Sequence, residues 1–148
     1  HLINPGNIIV TNTEQGHEFK LIGFPAIVPD SFGETGLFSQ HIYKLTLLEQ
    51  TYLSNEFIYY LLMSPFVREQ IISATNGSTV NMLAIDGLQR PEFKIPPKEK
   101  VIKFTKIVNG YWKKKNVNYQ QIKTLEKLRD TLLPKLMSGE VRVQFEKN

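Results

Sequence analysis

The apolar residues of this chain follow two different periods. Before residue 97 they form short runs that are rich in β-branched residues or alternate with polar ones, as at Ile8–Thr11 and over residues 41–47. Such runs are typical of short strands with one buried face. Beyond residue 97 the apolar residues recur every three and four positions, which predicts a single long helix.

Two short helices are predicted between the strands and the long helix. Ser54 suits the N-cap of the first, and Ser64 followed by Pro65 opens the second. Asn76-Gly77 is a turn signal that ends the second helix.

The remaining segments of the first part carry weaker signals. Ser78, Thr79 and Asn81 are polar and predict a loop over residues 78–81, and residues 84–88 predict a turn. Residues 19–22 and 92–95 each predict a short strand. These segments connect the stronger elements.

One register of the long helix forms a heptad seam over about five repeats. Polar residues interrupt it at Lys115, Asn118 and Arg129. At about 1.5 Å per residue the helix is roughly 60 Å long, so a small domain cannot cover its stripe and a partner helix is expected. The predicted coiled-coil interface consists of Val101, Phe104, Val108, Tyr111, Ile122, Leu125, Leu132 and Leu136.

Together these patterns predict an α+β protein. Residues 1–96 form a small mixed α/β domain, residues 97–138 a long coiled-coil helix, and residues 139–148 a short terminal strand and tail. In the last segment, Val141, Val143 and Phe145 alternate with polar residues, and Gly139 is a suitable helix stop.

The bulk composition is that of a globular chain. Of its 148 residues 41% are hydrophobic and 11% aromatic. No apolar run approaches the ~18 residues of a membrane span. The chain has 0 cysteines, which excludes disulfides and thiolate metal sites and agrees with a cytoplasmic location.

The net charge of +4 is unevenly distributed. Residues 1–97 carry five Lys and Arg against nine Asp and Glu, a net charge of −4, whereas residues 98–148 carry thirteen against five, a net of +8. The basic residues are therefore concentrated in the helix and tail. They form either the solvated outer face of a coiled coil or a surface that binds phosphates or an acidic partner.

Most catalytic motifs are absent from the sequence. No glycine-rich nucleotide loop occurs, and the three histidines have no metal-ligand spacing. Asp86 with Glu92-Phe93-Lys94 is similar to the Asp…Glu-x-Lys pattern of metal-dependent nucleases, in which two carboxylates hold Mg²⁺. The five-residue gap is unusually short for that chemistry. We therefore expect no catalytic residues and no metal site.

Two stretches resemble a known family. The first is NGSTVNML from residue 76, followed by FKIPP from residue 93; the second is LEKLRDTLLPKLMSGEVRV from residue 125. They resemble the end of a target-recognition domain and the conserved C-terminal helix of type I restriction–modification specificity (S) subunits. The second resemblance explains both why a proline, Pro134, lies inside the predicted helix and why a glycine, Gly139, follows its end.

The resemblance also shows two departures. A full S subunit has two recognition domains and two conserved helices, whereas one of each is found here. The opening segment of the recognition domain is expected before His1. The chain therefore resembles a partial or half-length S subunit.

The resemblance implies a non-catalytic DNA-recognition role. S subunits hold two recognition domains apart on an antiparallel coiled coil, and each domain reads one half of a bipartite double-stranded site. Methyltransferase subunits, which use S-adenosylmethionine, and a restriction subunit complete the complex. The chain itself is expected to bind no cofactor and to pair through its helix with itself or with another S half.

Polar side chains on loops are the candidates for DNA contact, because base readout needs paired donors and acceptors. They form three clusters along the sequence. Ordinary turn chemistry is the alternative explanation for each cluster. The candidates are Asn12, Thr13, Gln15, His17 and Lys20; Gln40, His41 and Lys44; and Ser78, Thr79 and Asn81 with Arg90.

Two other classes of protein remain open at the level of sequence. A coiled-coil regulatory protein unconnected with DNA methylation predicts that Gln40→Ala or Asn81→Ala changes nothing in a DNA assay. A nuclease predicts Mg²⁺-dependent cleavage that is lost in Glu92→Ala.

Overall fold

The computed structural model describes residues 2–16, 18–47, 52–77 and 79–142. The chain divides into two compact units, His1–Ile107 and Val108–Asn148. The first unit contains the strands, three short helices and the first turns of the long helix. The predicted division at residues 96 and 138 stays a prediction.

Eight short strands are found among the described residues, and they pair antiparallel in three small sheets. The first sheet is β1-β5, the second β4-β2-β6 and the third β3-β8-β7. A single 3₁₀ turn, Asp30–Phe32, precedes β5. The strands are β1 (Leu2–Ile3), β2 (Ile8–Thr11), β3 (Thr13–Gln15), β4 (Pro25–Ile27), β5 (Gly36–Leu37), β6 (Ile42–Leu45), β7 (Thr75–Asn76) and β8 (Val80–Leu83).

The helices are α1 (Asn55–Met63), α2 (Pro65–Ser73), α3 (Ile85–Gln89) and α4 (Lys98–Met137). Strands in small sheets followed by one long helix confirm the predicted α+β class. No described helix is both long and apolar enough to cross a membrane.

The two short helices begin where the sequence predicts. The Ser54 side chain accepts from the Phe57 N–H at 3.1 Å, and the Ser64 side chain accepts from the Val67 N–H at 3.4 Å. Pro65 occupies the first turn of α2, where its missing N–H is not needed. Local capping chemistry therefore fixes both helix starts.

The core of the first unit lies between the second sheet, β8 and the two short helices. Its buried cluster combines residues from β2, β8, α1 and α2 with Ile22, which lies in the turn before β4. Burial of these apolar side chains is the main stabilising contribution to the unit. The cluster consists of Val10, Ile22, Leu62, Val67, Ile71 and Leu83.

The first turns of α4 pack on α1 within this unit. Phe104 meets the rings of Phe57 and Tyr60 edge to face, with centroids 6.0 and 5.6 Å apart. Val101 is 1% exposed, and Thr105 Oγ1 lies 3.0 Å from Ser54 Oγ. The expectation that the apolar stripe needs a partner helix throughout is therefore wrong for these turns, because α1 covers them.

The second unit, taken by itself, is the rest of α4 and its end. Gly139 has a φ of +76° and its N–H donates to the Leu136 oxygen at 3.2 Å, so it ends the helix as predicted. Pro134 lies inside the last turn without ending it, and its oxygen still accepts from the Ser138 N–H. Residues 143–148, which carry most of the predicted terminal strand, lie outside the described residues.

Most of the predicted seam is exposed in this unit. Val108 is buried, but from Tyr111 onward the predicted interface residues are between 40% and 73% exposed. Pairing of this stripe with another helix stays a prediction. The exposed members are Tyr111, Ile122, Leu125, Leu132 and Leu136.

Four weakly predicted segments fold differently from expectation. The predicted loop over residues 78–81 contains the start of β8, and the predicted turn over residues 84–88 is the short helix α3. Residues 19–22 and 92–95 are not strands. Residues 19–22 form a turn that is held by the Glu14 side chain. Residues 92–95 are held by Gln70, whose amide makes two hydrogen bonds to the Glu92 backbone at 2.9 and 3.0 Å.

Candidate nucleic-acid interface

The chain passes from the second sheet to the third sheet at Asn12, between β2 and β3. Asn12 is 7% exposed, and its Nδ2 donates to the Gln40 backbone oxygen at 2.9 Å. Its backbone N–H donates to the His41 oxygen at 3.0 Å, and its own oxygen accepts from the Leu83 N–H at 2.8 Å. These bonds join β2, the turn before β6 and β8 at one point. Asn12 therefore holds the two sheets together.

The first two predicted clusters meet beside this junction. Thr13 Oγ1 lies 3.1 Å from His41 Nδ1, although the two residues are 28 positions apart in the sequence. Gln40 and His41 are exposed, and Gln15 is exposed two positions along β3 from Thr13. The structure thus brings candidates from two distant segments to one edge of the third sheet.

The third cluster adjoins the other end of β3. Thr79 is exposed, and its backbone oxygen accepts from the Gly16 N–H at 3.4 Å. Asn81 is 3% exposed and its Nδ2 donates to the Gly16 oxygen. Asn81 therefore supports the turn after β3 and is not accessible to a base. His17 and Ser78 lie outside the described residues.

The three cationic candidates each have an interaction within the domain. Lys20 pairs with Glu18, and Arg90 pairs with Asp86 one helical turn earlier. Lys44 Nζ donates to a backbone oxygen of β1 at 3.1 Å. Lys20 and Arg90 are exposed, so water screens their ion pairs and either side chain can exchange its partner for a phosphate.

The pairing of Asp86 with Arg90 bears on the nuclease hypothesis as well. Asp86 is one of the two carboxylates that would hold a metal ion, and its Oδ2 lies against Arg90 Nη2. Glu92 is held through its backbone by Gln70. In the part of the chain that the structure describes, no three His, Cys, Asp or Glu residues are placed to hold a metal ion.

A groove with a volume of about 560 Å³ lies beside β6. Gln40 and Lys44 line it, together with the apolar side chains of Ile85 and Leu88 from α3. Two members of the second cluster, Gln40 and Lys44, therefore lie on a concave surface that combines polar and apolar side chains.

The third sheet has one buried face and one exposed face. Antiparallel partners share a face, so the pairing of Met82 with both Thr13 and Asn76 places these three residues on one side. Gln15 and its partner Val80 lie on the same side, because residues two apart in a strand face the same way. We call these five residues the open face.

Three members of the open face were missed by the sequence analysis. Asn76, Val80 and Met82 fall in or beside the stretch that predicts a polar loop. The signal for β8 was the alternation of Val80 and Met82 around Asn81, three residues after Gly77, which is the period of a short strand. Neighbouring turn residues concealed this pattern.

Glu14 lies on the opposite side of β3 and holds the turn that follows. Its carboxylate accepts from the backbone N–H groups of Lys20, Leu21 and Ile22 at 2.9, 2.9 and 2.8 Å. Burial opposes ionisation, but these three donors and the charge of Arg68 bring the pKa of Glu14 below its ordinary value of 4.5. Glu14 is therefore ionised at neutral pH and is already fully engaged.

Arg68 supports the same turn from α2. Its Nη2 donates to the Phe19 oxygen at 2.7 Å, and its guanidinium lies 5.1 Å from the ring centre of Phe24. Phe19 has a φ of +49°, a left-handed conformation that is uncommon for a bulky residue. Glu14 and Arg68 thus fix a turn that local preferences alone do not favour.

We expect Glu14→Gln to lower the free energy of unfolding at neutral pH by about 1–2 kcal/mol, because an amide replaces a charged acceptor of three N–H bonds. Urea unfolding followed by circular dichroism measures this loss. Glu18→Gln is the matched control, since the Glu18 side chain is 70% exposed and forms only a surface ion pair. Equal losses in the two variants would contradict a special role for Glu14.

The effect of Glu14→Gln should also depend on pH. A carboxylate with a lowered pKa in the folded state stabilises fully above its unfolded value, here 4.5, and this contribution disappears as the pH falls through the folded pKa. The stability difference between wild type and Glu14→Gln should therefore be constant near pH 7 and should narrow as the pH falls below 4.5.

The chain is similar to a specificity subunit of a type I restriction enzyme. This relative is the MjaIX specificity subunit of Methanocaldococcus jannaschii, which is 35% identical to the chain over 102 residues. The match covers 68% of this chain but 23% of the relative, so the chain spans about a quarter of the relative's length. No protein-family model matches the chain. The resemblance found in the sequence is thus confirmed, and the chain is related to the type I specificity subunits.

Proposed function

We propose that this chain recognises DNA for a type I restriction–modification complex and reads one half of a bipartite double-stranded site. The observation that carries the proposal is its similarity to a specificity subunit over two thirds of its length. The geometry agrees, because exposed candidates from three separate segments converge on the third sheet. Rigid strands with polar side chains at their edge are a suitable scaffold for base contacts.

The chain is proposed to have no catalysis and no cofactor of its own. Methyltransferase subunits would supply S-adenosylmethionine and modify adenine, and a restriction subunit would join through the complex. Neutralisation of phosphates provides most non-specific affinity for DNA, and the net charge of −4 over residues 1–97 limits it. The methyltransferase subunits would therefore also supply much of the affinity of the complex for DNA. The proposed location of the complex is the cytoplasm.

The long helix is proposed to act as a spacer that pairs with another helix. The exposed stripe from Tyr111 to Leu136 supports this role, since heptad leucines that face water in one chain are buried when two helices pair. The partner is a second copy of the chain or the other half of a split S subunit. Lys115, Asn118 and Arg129 on the seam would favour one register.

The test is co-expression of the chain with the methyltransferase subunit from the same genome. The two proteins should co-elute, and plasmid DNA from these cells should carry N6-methyladenine at a defined, bipartite sequence. Cells that express the methyltransferase subunit alone provide the control. Methylation that is absent, or identical with and without this chain, would contradict the proposal.

The same assay distinguishes the coiled-coil alternative, provided that the right residues are changed. Asn81 is a poor choice, because its buried amide supports the turn at Gly16 and its loss disturbs the fold. Gln15 and Gln40 are exposed and are better probes. A protein unconnected with DNA would show no change in methylation when either is replaced by alanine.

A further inference from the structure

Strand β8 has an unusual distribution of side chains. Val80 and Met82 are 46% and 59% exposed, whereas Asn81 and Leu83 are 3% and 2% exposed. A strand with one solvent-exposed face normally has its polar residues on that face and its apolar residues on the buried face. Here two apolar residues face outward and the amide between them faces inward, so three consecutive positions are inverted. Exposed apolar residues in a regular row need a reason beyond folding.

The residues beside Val80 and Met82 carry donors and acceptors. Met82 pairs across the sheet with Thr13 on one side and Asn76 on the other, and Val80 pairs with Gln15. Gln15 and Asn76 are exposed. The open face therefore combines two carboxamides, one hydroxyl and two apolar side chains within three adjacent strands.

The open face carries no acidic group from its own strands. Among the residues of β3, β7 and β8 the one carboxylate is Glu14, and its two oxygens accept three backbone N–H bonds behind the sheet. A face that meets DNA must avoid negative charge, since phosphates line both edges of a groove. Despite the acidic balance of the domain, the open face meets this condition.

The open face is also held rigidly from below. Tyr43 Oη donates to the Leu83 oxygen at 2.9 Å, and the Leu83 N–H donates to the Asn12 oxygen at 2.8 Å. The buried amide of Asn81 binds the Gly16 oxygen. Buried groups thus fix β8, while its outward side chains Val80 and Met82 contribute little to the core. Such support is what a surface for base readout requires.

We infer that the open face lies in the major groove of the target DNA and reads A·T base pairs there. A carboxamide binds adenine through N6 and N7, and an apolar side chain fits against the thymine methyl group. Gln15 and Asn76 supply the carboxamides, and Val80 and Met82 supply the apolar contacts. Neighbouring strands lie about 4.8 Å apart, and the major groove, about 12 Å wide, admits two such strands side by side. This inference rests on the proposed function.

The first consequence is visible in the methylated sequence itself. The half-site that this chain reads should contain at least one A·T pair in addition to the one that is methylated. A half-site whose other specified positions are all G·C would overturn the inference, while the role in DNA recognition would stand.

The sharper test removes thymine methyl groups one at a time. In the complex of this chain with its methyltransferase subunit, affinity is measured for the half-site duplex with each specified thymine replaced by uracil. At one position uracil should weaken wild-type binding about fourfold, the ratio expected for one buried methyl group. Met82→Ala should weaken binding to the thymine duplex to a similar extent and show no further loss with uracil at that position.

Leu37→Ala is the matched control, because Leu37 is an apolar residue 78% exposed on the first sheet. It should bind the thymine duplex normally and keep the full uracil penalty. Gln15→Ala and Asn76→Ala should each relax the preference for adenine at one position.

The outcomes separate the two proposals. If uracil is tolerated everywhere, or if Met82→Ala and Leu37→Ala behave alike, the open face does not read thymine and the inference is overturned, although sequence-specific methylation remains. A second protein seated on the open face would give the same result, with Met82→Ala weakening complex formation instead of DNA preference. If the complex methylates no defined sequence, the proposed function fails and this inference with it.

Discussion

Replacement of Gly23 by alanine is expected to lower the free energy of unfolding by about 3 kcal/mol or more, which is enough to unfold much of a marginally stable domain. Gly23 has a φ of +70°, where an L side chain is strained. A Cβ atom there would lie 2.4 Å from Ile71 Cγ2. Ile71 is fully buried in the core cluster, so it has no space into which it can move.

The position of Gly23 explains why the chain approaches the core so closely. Its N–H donates to the Thr11 oxygen at 2.7 Å, which ties the residue just before β4 to the end of β2 against Ile71 of α2. Urea unfolding followed by circular dichroism gives the change in stability.

Gly6→Ala is the control for the contribution of backbone strain alone. Gly6 has a φ of +82°, similar to that of Gly23, but a Cβ atom at this position would meet nothing within 4 Å beyond its chain neighbours. Its replacement should cost about 1 kcal/mol. Similar losses for Gly6→Ala and Gly23→Ala would show that contact with Ile71 contributes nothing.

Replacement of Leu125 and Leu132 together by lysine is expected to abolish pairing of the long helix. Both residues occupy the same heptad position, seven residues apart, and are 64% and 42% exposed in the single chain. Burial of a leucine contributes about 2 kcal/mol, so loss of two on each helix of a homodimer removes about 8 kcal/mol and weakens pairing by about a millionfold. Light scattering on the chain at tens of micromolar measures the mass in solution.

Thr124→Lys with Thr131→Lys is the matched control for this variant. It adds the same charges one residue earlier in each heptad, at positions that face away from the seam. The control should keep the mass of the wild-type chain. A wild-type chain that is a clean monomer under these conditions would refute self-association and leave pairing with another S half.

Local signals in the sequence predicted the parts of the fold that depend on near neighbours. Ser54 and Ser64 cap their helices through bonds to residues three positions away, and Gly139 ends α4 within one turn. The two-period pattern was enough to separate strands from the long helix. These features need no knowledge of tertiary contacts.

The parts that failed depend on contacts between distant residues. A heptad stripe gives no information on what covers it, so packing of Phe104 on Phe57 was not predicted. The junction at Asn12 joins residues 28 and 71 positions away, and no local pattern specifies such pairings. The candidate site was therefore predicted as three separate clusters. Its apolar member Val80 fell within a predicted loop, and Met82 was not assigned to a strand.

The alternation along β8 has a consequence for how this protein can evolve. Asn81 and Leu83 carry the structural contacts of the strand, whereas Val80 and Met82 contribute little to the core. Exposed positions of this kind tolerate replacement with small changes in stability. Selection can therefore alter the outward residues one by one without a compensating change inside, so inherited variation in this strand can accumulate at alternate positions while the domain remains folded.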